Sequence, residues 1–181
     1  MEDKPLVRRA MPTDAAAVRD IAAVTWRDTY VGIIPESVQD EIIARFYHPT
    51  VLADQMVRAG SVFLVAERPA GAGESDRAGA TSGHNLVAFC QATRLDDRVE
   101  VDRLYVLPGW QGRGIGRTLL ETAIALAVDA DAGLVVTVNA EAENKKARAF
   151  YERLGFVAVG EERWPAGEVD LPIIVYARRL G

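Results

Sequence analysis

One segment, residues 100–120 (EVDRLYVLPGWQGRGIGRTLL), constrains the fold more than any other part of the sequence. Its first half mixes β-branched, aromatic and aliphatic residues with charged ones and ends at Pro108 and Gly109, which predicts a strand followed by a turn. A helix is predicted after the turn, beginning near Gly116. The glycines of the turn let the backbone approach a ligand closely, and unpaired amides at a helix start favour an anion. The segment therefore predicts a strand, a phosphate-binding turn and a helix, in that order.

The spacing of the glycines distinguishes between kinds of phosphate-binding turn. A P-loop requires Gly-Lys-Ser/Thr at its end and a dinucleotide-binding turn requires G-x-G-x-x-G, and neither pattern is present. The pattern found is Q-x-x-G-x-G behind a strand, and it resembles the first signature of the GNAT superfamily of N-acetyltransferases. Taken alone, the segment leaves one alternative open, a plain strand-turn-helix connection whose glycines serve packing.

The resemblance implies a role for this segment in binding acetyl-CoA. In the superfamily the turn holds the pyrophosphate of acetyl-CoA, and the backbone of the preceding strand lies along the pantetheine arm. By resemblance, the strand residues at the cofactor are Leu104, Tyr105 and Val106, and the turn residues are Gln111, Gly112, Arg113, Gly114, Ile115, Gly116 and Arg117. For the two arginines, the alternative is that they are ordinary surface cations.

A second signature, N-x-x-A-x-x-F-Y-x-x-x-G-F, spans residues 144–156 and matches at every position. It predicts a helix that begins near Asn144 and is capped by Gly155. By resemblance, Asn144 contacts the pantetheine or its phosphates, as does Asn139, which is expected to end the preceding strand of residues 134–138. Because both signatures occur in order with a strand between them, the chain is identified as a member of the superfamily.

The remaining hydrophobic patterns complete the order β-ααα-ββ-β-α-β-α-ββ. This order predicts the α/β (α+β) class and the GNAT fold, a mixed, twisted sheet of about seven strands flanked by about four to five helices. One domain is expected over residues 1–181. Residues 68–84 are rich in Gly, Ala and Ser and are expected to form a flexible hairpin insertion. The final two strands are expected to flank a loop at residues 164–167.

Composition limits the partners that we expect. The net charge is −5, from 21 Lys and Arg against 26 Asp and Glu, which argues against a nucleic-acid surface and suits a cationic substrate such as an amine. The single cysteine, Cys90, leaves no disulfide framework, so a cytoplasmic location is expected. No apolar run approaches the ~18 residues of a membrane span. We expect no nucleic-acid or membrane partner, no metal, and a monomer or homodimer.

The reaction implied by the resemblance is direct attack of an amine on the acetyl-CoA thioester, with acetyl-CoA as co-substrate. An alkylamine with a pKa of about 10.4 is almost wholly protonated at pH 7, so a base would help. Glu100 is the candidate, because some members of the superfamily place a glutamate base at its offset before the glutamine of the turn, here Gln111. Asp102 shares its strand face and could assist. The alternative for Glu100 is a carboxylate paired with an arginine.

Tyr151 is the candidate general acid. A phenol with a pKa of about 10 stays protonated at pH 7 and can donate its proton to the departing thiolate. The superfamily commonly uses the second residue of the Phe-Tyr pair for this purpose. The alternative is packing, because Tyr151 also belongs to an apolar stripe at helical spacing that includes Ala147, Phe150 and Leu154.

The acceptor is expected to contact Trp26, Tyr30 and Trp164, which lie in the parts of this fold that vary most. The alternative for the aromatic residues of the first helix is that they pack the helix onto the sheet. The predicted activity is acetyl transfer from acetyl-CoA to a primary amine of a small molecule, such as a polyamine, in a ternary complex. Acetylation of protein N-termini or lysines is one alternative, and acyl-CoA binding without turnover, as in a sensor or partner module, is another.

Overall fold

The computed structural model describes residues 5–68, 85–128, 133–166 and 169–180. The strands are β1 (Leu6–Arg9), β2 (Ser61–Glu67), β3 (Leu86–Arg94), β4 (Arg98–Val106), β5 (Val135–Glu141), β6 (Val157–Ala166) and β7 (Val169–Arg179). The α-helices in these ranges are α1 (Ala15–Thr29), α2 (Glu36–Phe46), α3 (Pro49–Val57), α4 (Ile115–Ala127) and α5 (Lys145–Arg153). This order and the α/β class confirm the prediction made from the sequence.

The strands form one mixed seven-stranded sheet in the order β1-β2-β3-β4-β5-β7-β6. Neighbouring strands are antiparallel except β4 and β5, which are parallel. That parallel pairing covers only residues 98–101 of β4 and 135–138 of β5. Beyond it, residues 103–106 of β4 pair with β3, and residues 139–141 of β5 pair with β7. The two central strands therefore separate and leave the sheet open at one end.

Helices cover both faces of this sheet. Strands β2 and β3 are buried along most of their lengths, as expected when both faces are covered. On one face, the hydroxyl of Tyr105 accepts a hydrogen bond of 3.1 Å from the indole Nε1 of Trp26 on α1. Val106 points to the opposite face by strand alternation and lies against the start of α4, where a Cβ added to Gly116 would be 3.5 Å from its side chain. Strand β4 thus contributes side chains to both layers.

A β-bulge interrupts β4 at the point where β5 separates from it. Val101 pairs with Ala92 of β3 and Arg103 pairs with Gln91, so Asp102 is an extra residue without a partner in the ladder. Bulges re-aim the side chains beside them. Here the side chains of Asp102 and Arg103 line the same cavity.

Two boundaries predicted from the sequence were wrong. The strand predicted to end before Asn139 continues to Glu141, because residues 139–141 pair with residues 173–175 of β7. The loop predicted at residues 164–167 begins as strand, because Trp164 lies in β6 and pairs with Leu171 of β7. The first extension depends on pairing with a strand far away in the sequence, which local propensity does not report. In the second, proline and glycine indicate a loop, but β6 and β7 form a hairpin that stays paired as far as Ala166 and Val169.

The insertion predicted at residues 68–84 lies outside the described residues, apart from Arg68. The backbone amide of Arg68 donates to the Asn85 carbonyl at 2.9 Å, which extends the antiparallel pairing of β2 and β3 by one step. A single domain over the whole chain stays a prediction.

An arginine on β7 ties the last antiparallel pair to two helices. The Arg178 guanidinium donates to both carboxylate oxygens of Glu121 on α4, at 2.9 and 3.0 Å, and to the Leu154 carbonyl at 2.9 Å. It also stacks on the ring of Phe156, 4.7 Å from its centroid. The hydrogen bonds and charge of Arg178 lower the pKa of Glu121 below its ordinary value of 4.5. Ionised Glu121 therefore stabilises the folded state.

This contact predicts a pH-dependent contribution to stability. Glu121→Gln should lower the free energy of unfolding at pH 7 by about 1 kcal/mol or less, because the carboxylate is 43% exposed. The contribution is complete above the unfolded pKa and is lost as the pH falls through the lower folded pKa, so the difference should shrink towards pH 3. Urea unfolding measured across this pH range tests the prediction. Glu41→Gln, a change at an exposed position of α2, is the control and should leave stability unchanged at every pH.

Candidate active site

The separation of β4 and β5 is bordered by a long groove of about 430 Å³, here called the donor groove. Residues from α1, β4, the glycine turn and α5 line it: Thr25, Thr29, Tyr30, Leu104, Tyr105, Val106, Trp110, Gln111, Gly112, Gly114, Ile115, Gly116, Arg117, Asn144, Lys146, Ala147, Phe150, Tyr151 and Arg153. Its charged side chains, among the residues that the structure describes, are all cationic: Arg117, Lys146 and Arg153. This charge pattern suits a ligand that carries phosphates.

The glycine turn gives the groove its backbone donors. Gly112 and Gly114 have φ angles of +77° and +80°, which L side chains rarely adopt, and Gly114 precedes the first residue of α4. A Cβ built on either glycine would meet no atom within 4 Å, so the space beside the turn is open to a ligand. The amides at the start of α4 favour an anion there. The turn therefore fits the pyrophosphate of acetyl-CoA.

Gln111 holds the turn against the end of β4. Its side-chain amide donates to the Val106 carbonyl at 2.9 Å, and its Oε1 accepts a hydrogen bond from the Lys146 ammonium of α5. Both residues line the donor groove. Gln111 thus links the strand, the turn and α5 at the place where a phosphate would lie.

The two arginines predicted at the turn differ in position. Arg117 lines the donor groove, whereas Arg113 lies outside its lining and stacks over the ring of Trp110, 4.6 Å from the centroid.

The two asparagines predicted to contact the cofactor line different spaces. Asn144 lines the groove, and its Oδ1 accepts from the Ala147 amide at 3.0 Å, capping α5. Asn139 lines the second cavity instead.

The second cavity, about 320 Å³, is here called the acceptor cavity. It lies between α1, α2, β4, β5 and the β6–β7 pair and is lined by Trp26, Tyr30, Ile34, Ile42, Phe46, Tyr47, Asp102, Arg103, Tyr105, Asn139, Glu141, Glu162, Arg163, Trp164, Leu171 and Ile173. The three residues predicted to contact the acceptor, Trp26, Tyr30 and Trp164, all lie in this lining. Its walls combine aromatic rings with three carboxylates.

Four aromatic side chains lie where the two spaces meet, and we call them the aromatic wall: Trp26, Tyr30, Tyr47 and Tyr105. Hydrogen bonds and ring contacts hold them in place. The Tyr105 hydroxyl accepts from Trp26 and also lies 3.0 Å from the Tyr47 hydroxyl, while the Tyr30 ring packs on Trp26 at 4.6 Å between centroids. Burial raises the pKa of Tyr30 to about 12 and that of Tyr105 well above 10. Tyr30 and Tyr105 line both the donor groove and the acceptor cavity, so the two spaces meet at these side chains.

Tyr151 lies on the donor-groove side of this wall. Its side chain is 7% exposed and packs against the rings of Phe150, Phe156 and Tyr176. Burial is the main cause that raises its pKa above the ordinary value of 10. No side chain or carbonyl in the described ranges forms a hydrogen bond with its hydroxyl, which leaves the proton available to a ligand in the groove.

The carboxylates predicted as base have different surroundings. The Oε2 atom of Glu100 lies 3.8 Å from Nη2 of Arg98. Glu100 does not belong to the lining of either space. Asp102 lines the acceptor cavity and accepts a hydrogen bond of 2.7 Å from the Thr93 hydroxyl. Crowding by protein atoms raises the pKa of Asp102, as does the charge of Glu100, whereas the Thr93 hydrogen bond and the charge of Arg103 oppose this shift. A carboxylate with a raised pKa is a better proton acceptor.

Several residues that line the two spaces were not singled out from the sequence. Lys146 and Arg153 of α5 add cations to the donor groove, and their place within the second signature could have suggested this. Tyr47, Arg103 and Glu141 reach the acceptor cavity from three separate elements. No local pattern marks such residues, because only the tertiary fold brings them together.

Within the described ranges, no group of three or more His, Cys, Asp or Glu side chains is placed to hold a metal ion. The helices in the same ranges are too short or too polar to cross a membrane.

Comparisons with known proteins agree with this geometry. Residues 35–156 match the model of the Acetyltransferase (GNAT) family. The chain is also 30% identical over 151 residues to an uncharacterised N-acetyltransferase of Mycobacterium tuberculosis, covering 82% of this chain and 88% of that protein. The chain therefore belongs to the GNAT family of acetyltransferases. It is an acyltransferase, and acetyl-CoA is its acetyl donor.

More distant relatives include enzymes for different acceptors. The chain is 38% identical over 89 residues to the N-alpha-acetyltransferase RimI of M. tuberculosis, covering 47% of this chain and 54% of that one. It is 26% identical over 118 residues to a spermidine N(1)-acetyltransferase of Thermoplasma acidophilum, covering 63% and 65%. A crystal structure of the PaiA N-acetyltransferase of T. acidophilum in complex with coenzyme A shares the fold, with a TM-score of 0.76 at 20% identity, covering 97% of this chain and 98% of that one.

The open space beside Gly114 predicts a specific defect in cofactor binding. Gly114→Ala should raise the Kd for coenzyme A about tenfold, because the methyl group would occupy the donor groove beside the turn. The strain of a non-glycine residue at this φ should also cost about 1–2 kcal/mol of stability. Gly32→Ala is the matched control, because Gly32 has a φ of +74°, has the same open surroundings and lies outside the groove. Calorimetric titration and urea unfolding of both variants separate strain from binding, and equal Kd values would contradict the assignment of the turn.

Proposed function

We propose that the protein transfers the acetyl group of acetyl-CoA to the primary amine of a small molecule. The observation that carries this proposal is the size and lining of the acceptor cavity. At about 320 Å³ it matches a small ligand, and Asp102, Glu141 and Glu162 supply negative charge for an ammonium group. Its junction with the donor groove at Tyr30 and Tyr105 would bring an amine and a thioester together.

The residues of the donor groove divide the binding of acetyl-CoA between them. The turn from Gln111 to Arg117 would hold the pyrophosphate, with Lys146 and Arg153 as further cations. The edge of β4 that faces away from β3 has no strand partner over residues 103–106 within the described ranges, so its backbone is available to the pantetheine. When bound, acetyl-CoA supplies a thioester whose carbonyl carbon accepts the amine and whose sulfur leaves as a thiolate.

The proton of the attacking ammonium needs an acceptor. We assign this role to Asp102, which lines the acceptor cavity, with Glu100 as a supporting neighbour. Glu100 acts on Asp102 through its charge, which raises the pKa of Asp102. On this assignment Glu100 is a positioning residue, and Asp102, directly or through water, takes the proton.

The departing sulfur needs a proton donor, and Tyr151 is the residue proposed for it. Its hydroxyl stays protonated across the working range of pH because burial raises its pKa. The same burial excludes water from competition for the proton. The ring contacts with Phe150, Phe156 and Tyr176 hold the phenol in one orientation.

Protein N-termini or lysines are the alternative acceptors, and the relationship to the N-alpha-acetyltransferase RimI favours this reading. Two aromatic rings of the cavity lining meet between α2 and the β6–β7 pair. There the rings of Phe46 and Trp164 approach each other with 6.0 Å between centroids and narrow the cavity. The relationship to a spermidine N(1)-acetyltransferase supports a small amine. Acyl-CoA binding without turnover is the remaining alternative.

The first test is the rate of thiol release from acetyl-CoA with amino acids, polyamines, aminoglycosides and short peptides as acceptors. A small amine should raise the rate well above hydrolysis. Tyr151→Phe should then lower kcat about a hundredfold with an unchanged Kd for coenzyme A, because only the proton donor is lost. Turnover of peptides alone would support the first alternative. Binding of coenzyme A without turnover of any acceptor would support the second.

The pH profile of kcat/KM separates the two carboxylates. Asp102→Asn should remove the acidic limb, because the proposed proton acceptor is lost while Glu141 and Glu162 stay in the cavity lining. Glu100→Gln should keep the limb and move it to lower pH, because loss of the neighbouring charge lowers the pKa of Asp102. If Glu100→Gln removes the limb and Asp102→Asn keeps it, Glu100 is the base and the order of the two roles is reversed.

A further inference from the structure

Arg103 is a cation of the acceptor cavity that the reaction described above does not use. It lies on β4 directly after the bulge, and its side chain is partly buried. The reaction proposed above uses Asp102, Tyr151 and the donor groove, and Arg103 lies outside the lining of that groove. Its presence therefore calls for a separate explanation.

Within the described ranges, the groups that accept hydrogen bonds from the Arg103 guanidinium are all neutral. Nη1 donates to the Gln55 and Gln91 side-chain oxygens at 2.6 and 3.1 Å, and Nη2 donates to the Phe46 carbonyl at 3.1 Å. The guanidinium also stacks on the Tyr47 ring, 4.7 Å from its centroid. The carboxylate of neighbouring Asp102 accepts its hydrogen bond from Thr93 instead. The positive charge is held in place by these groups and is not neutralised by them.

The other arginine of the cavity provides a contrast. The Arg163 guanidinium donates to the Asp170 carboxylate at 2.8 Å and to the Asp170 carbonyl at 3.1 Å. Arg163 thus has a carboxylate as hydrogen-bond partner, whereas Arg103 has none among the described residues and interacts with Asp102 through charge alone. Arg103 and Arg163 thus form a natural pair of test and control positions.

Protein contacts explain the position of Arg103 but leave part of its binding capacity unused. A guanidinium carries five N–H donors and never loses its charge, and three hydrogen bonds to protein leave two donors. The Phe46 carbonyl at the end of α2 offers only a partial negative charge. A carboxylate matches the planar fork of the guanidinium and forms the strongest hydrogen bonds that it makes. An anionic group of the ligand would complete the site.

The cavity accordingly carries charges of both signs. Asp102, Glu141 and Glu162 suit an ammonium group, and Arg103 suits a carboxylate. A polyamine has cationic groups only and would offer no acceptor to the remaining N–H donors of Arg103. Resting on the small-molecule acceptor proposed above, we propose that the acceptor is a small amino acid whose free carboxylate is bound by Arg103.

The test compares kcat/KM for free amino acids with that for the corresponding carboxamides and decarboxylated amines, for example L-lysine, L-lysinamide and cadaverine. The wild-type enzyme should prefer the free acid by about tenfold to a hundredfold, the range for a charge-assisted hydrogen bond. Arg103→Gln should bring this ratio close to one by raising KM for the acid alone. Arg103→Lys, which keeps the charge without the fork, should give an intermediate ratio. Arg163→Gln should leave the ratio as in the wild type.

The outcomes separate this inference from the proposed function. Preferred turnover of carboxamides or polyamines by the wild type would overturn the carboxylate site and leave small-amine acetylation standing. An equal loss for acid and carboxamide in Arg103→Gln would show that Arg103 only supports the fold, and the Kd for coenzyme A and urea unfolding of each variant identify that case. Absence of turnover with every small amine would overturn both proposals.

Discussion

The separation of β4 from β5 is the constraint on which the site depends. Their parallel pairing ends at Val101 and Val138, and each strand then pairs only with its outer neighbour. A strand edge inside a sheet has backbone groups that require partners, so the unpaired edge offers them to an extended ligand. The β6–β7 pair makes this arrangement possible, because β7 continues to support β5 as far as Glu141. The opening between β4 and β5 thus depends on the pairing of β5 with β7 and of β7 with β6.

The aromatic wall gives the opening two compartments. Tyr105 stands on β4 between the donor groove and the acceptor cavity, and the hydroxyls and indole around it satisfy one another. Without those hydrogen bonds, its partly buried hydroxyl would carry a desolvation cost of about 1–3 kcal/mol. The wall therefore separates a cationic groove from a cavity of mixed charge at little energetic cost. In the function proposed above, reactants that enter from the two sides meet at Tyr30 and Tyr105, which line both spaces.

Most of the fold, and the donor side of the site, could be predicted from the sequence. The glycine turn and the residues from Asn144 to Phe156 are local patterns, because a turn and a capped helix each recruit neighbours in the chain. The acceptor side could be predicted only in part. Trp26 and Tyr30 were expected there. Arg103 was not, because it reaches the cavity through a bulge in the pairing of β4 with β3, and Glu141 was not, because the end of its strand depends on pairing with the distant strand β7. The position of Asn139 was missed for the same reason.

The bulge in β4 explains why so much chemistry falls on one strand. In a regular strand, neighbouring side chains point to opposite faces, so Asp102 and Arg103 could not both reach the acceptor cavity. The extra residue at Asp102 removes this restriction and keeps Tyr105, two residues after Arg103, on the same side. Glu100 stays close enough to raise the pKa of Asp102. A single inserted residue therefore places a carboxylate, a guanidinium and the dividing phenol on one side of the strand, and their order would set the direction in which the proposed amino-acid acceptor binds.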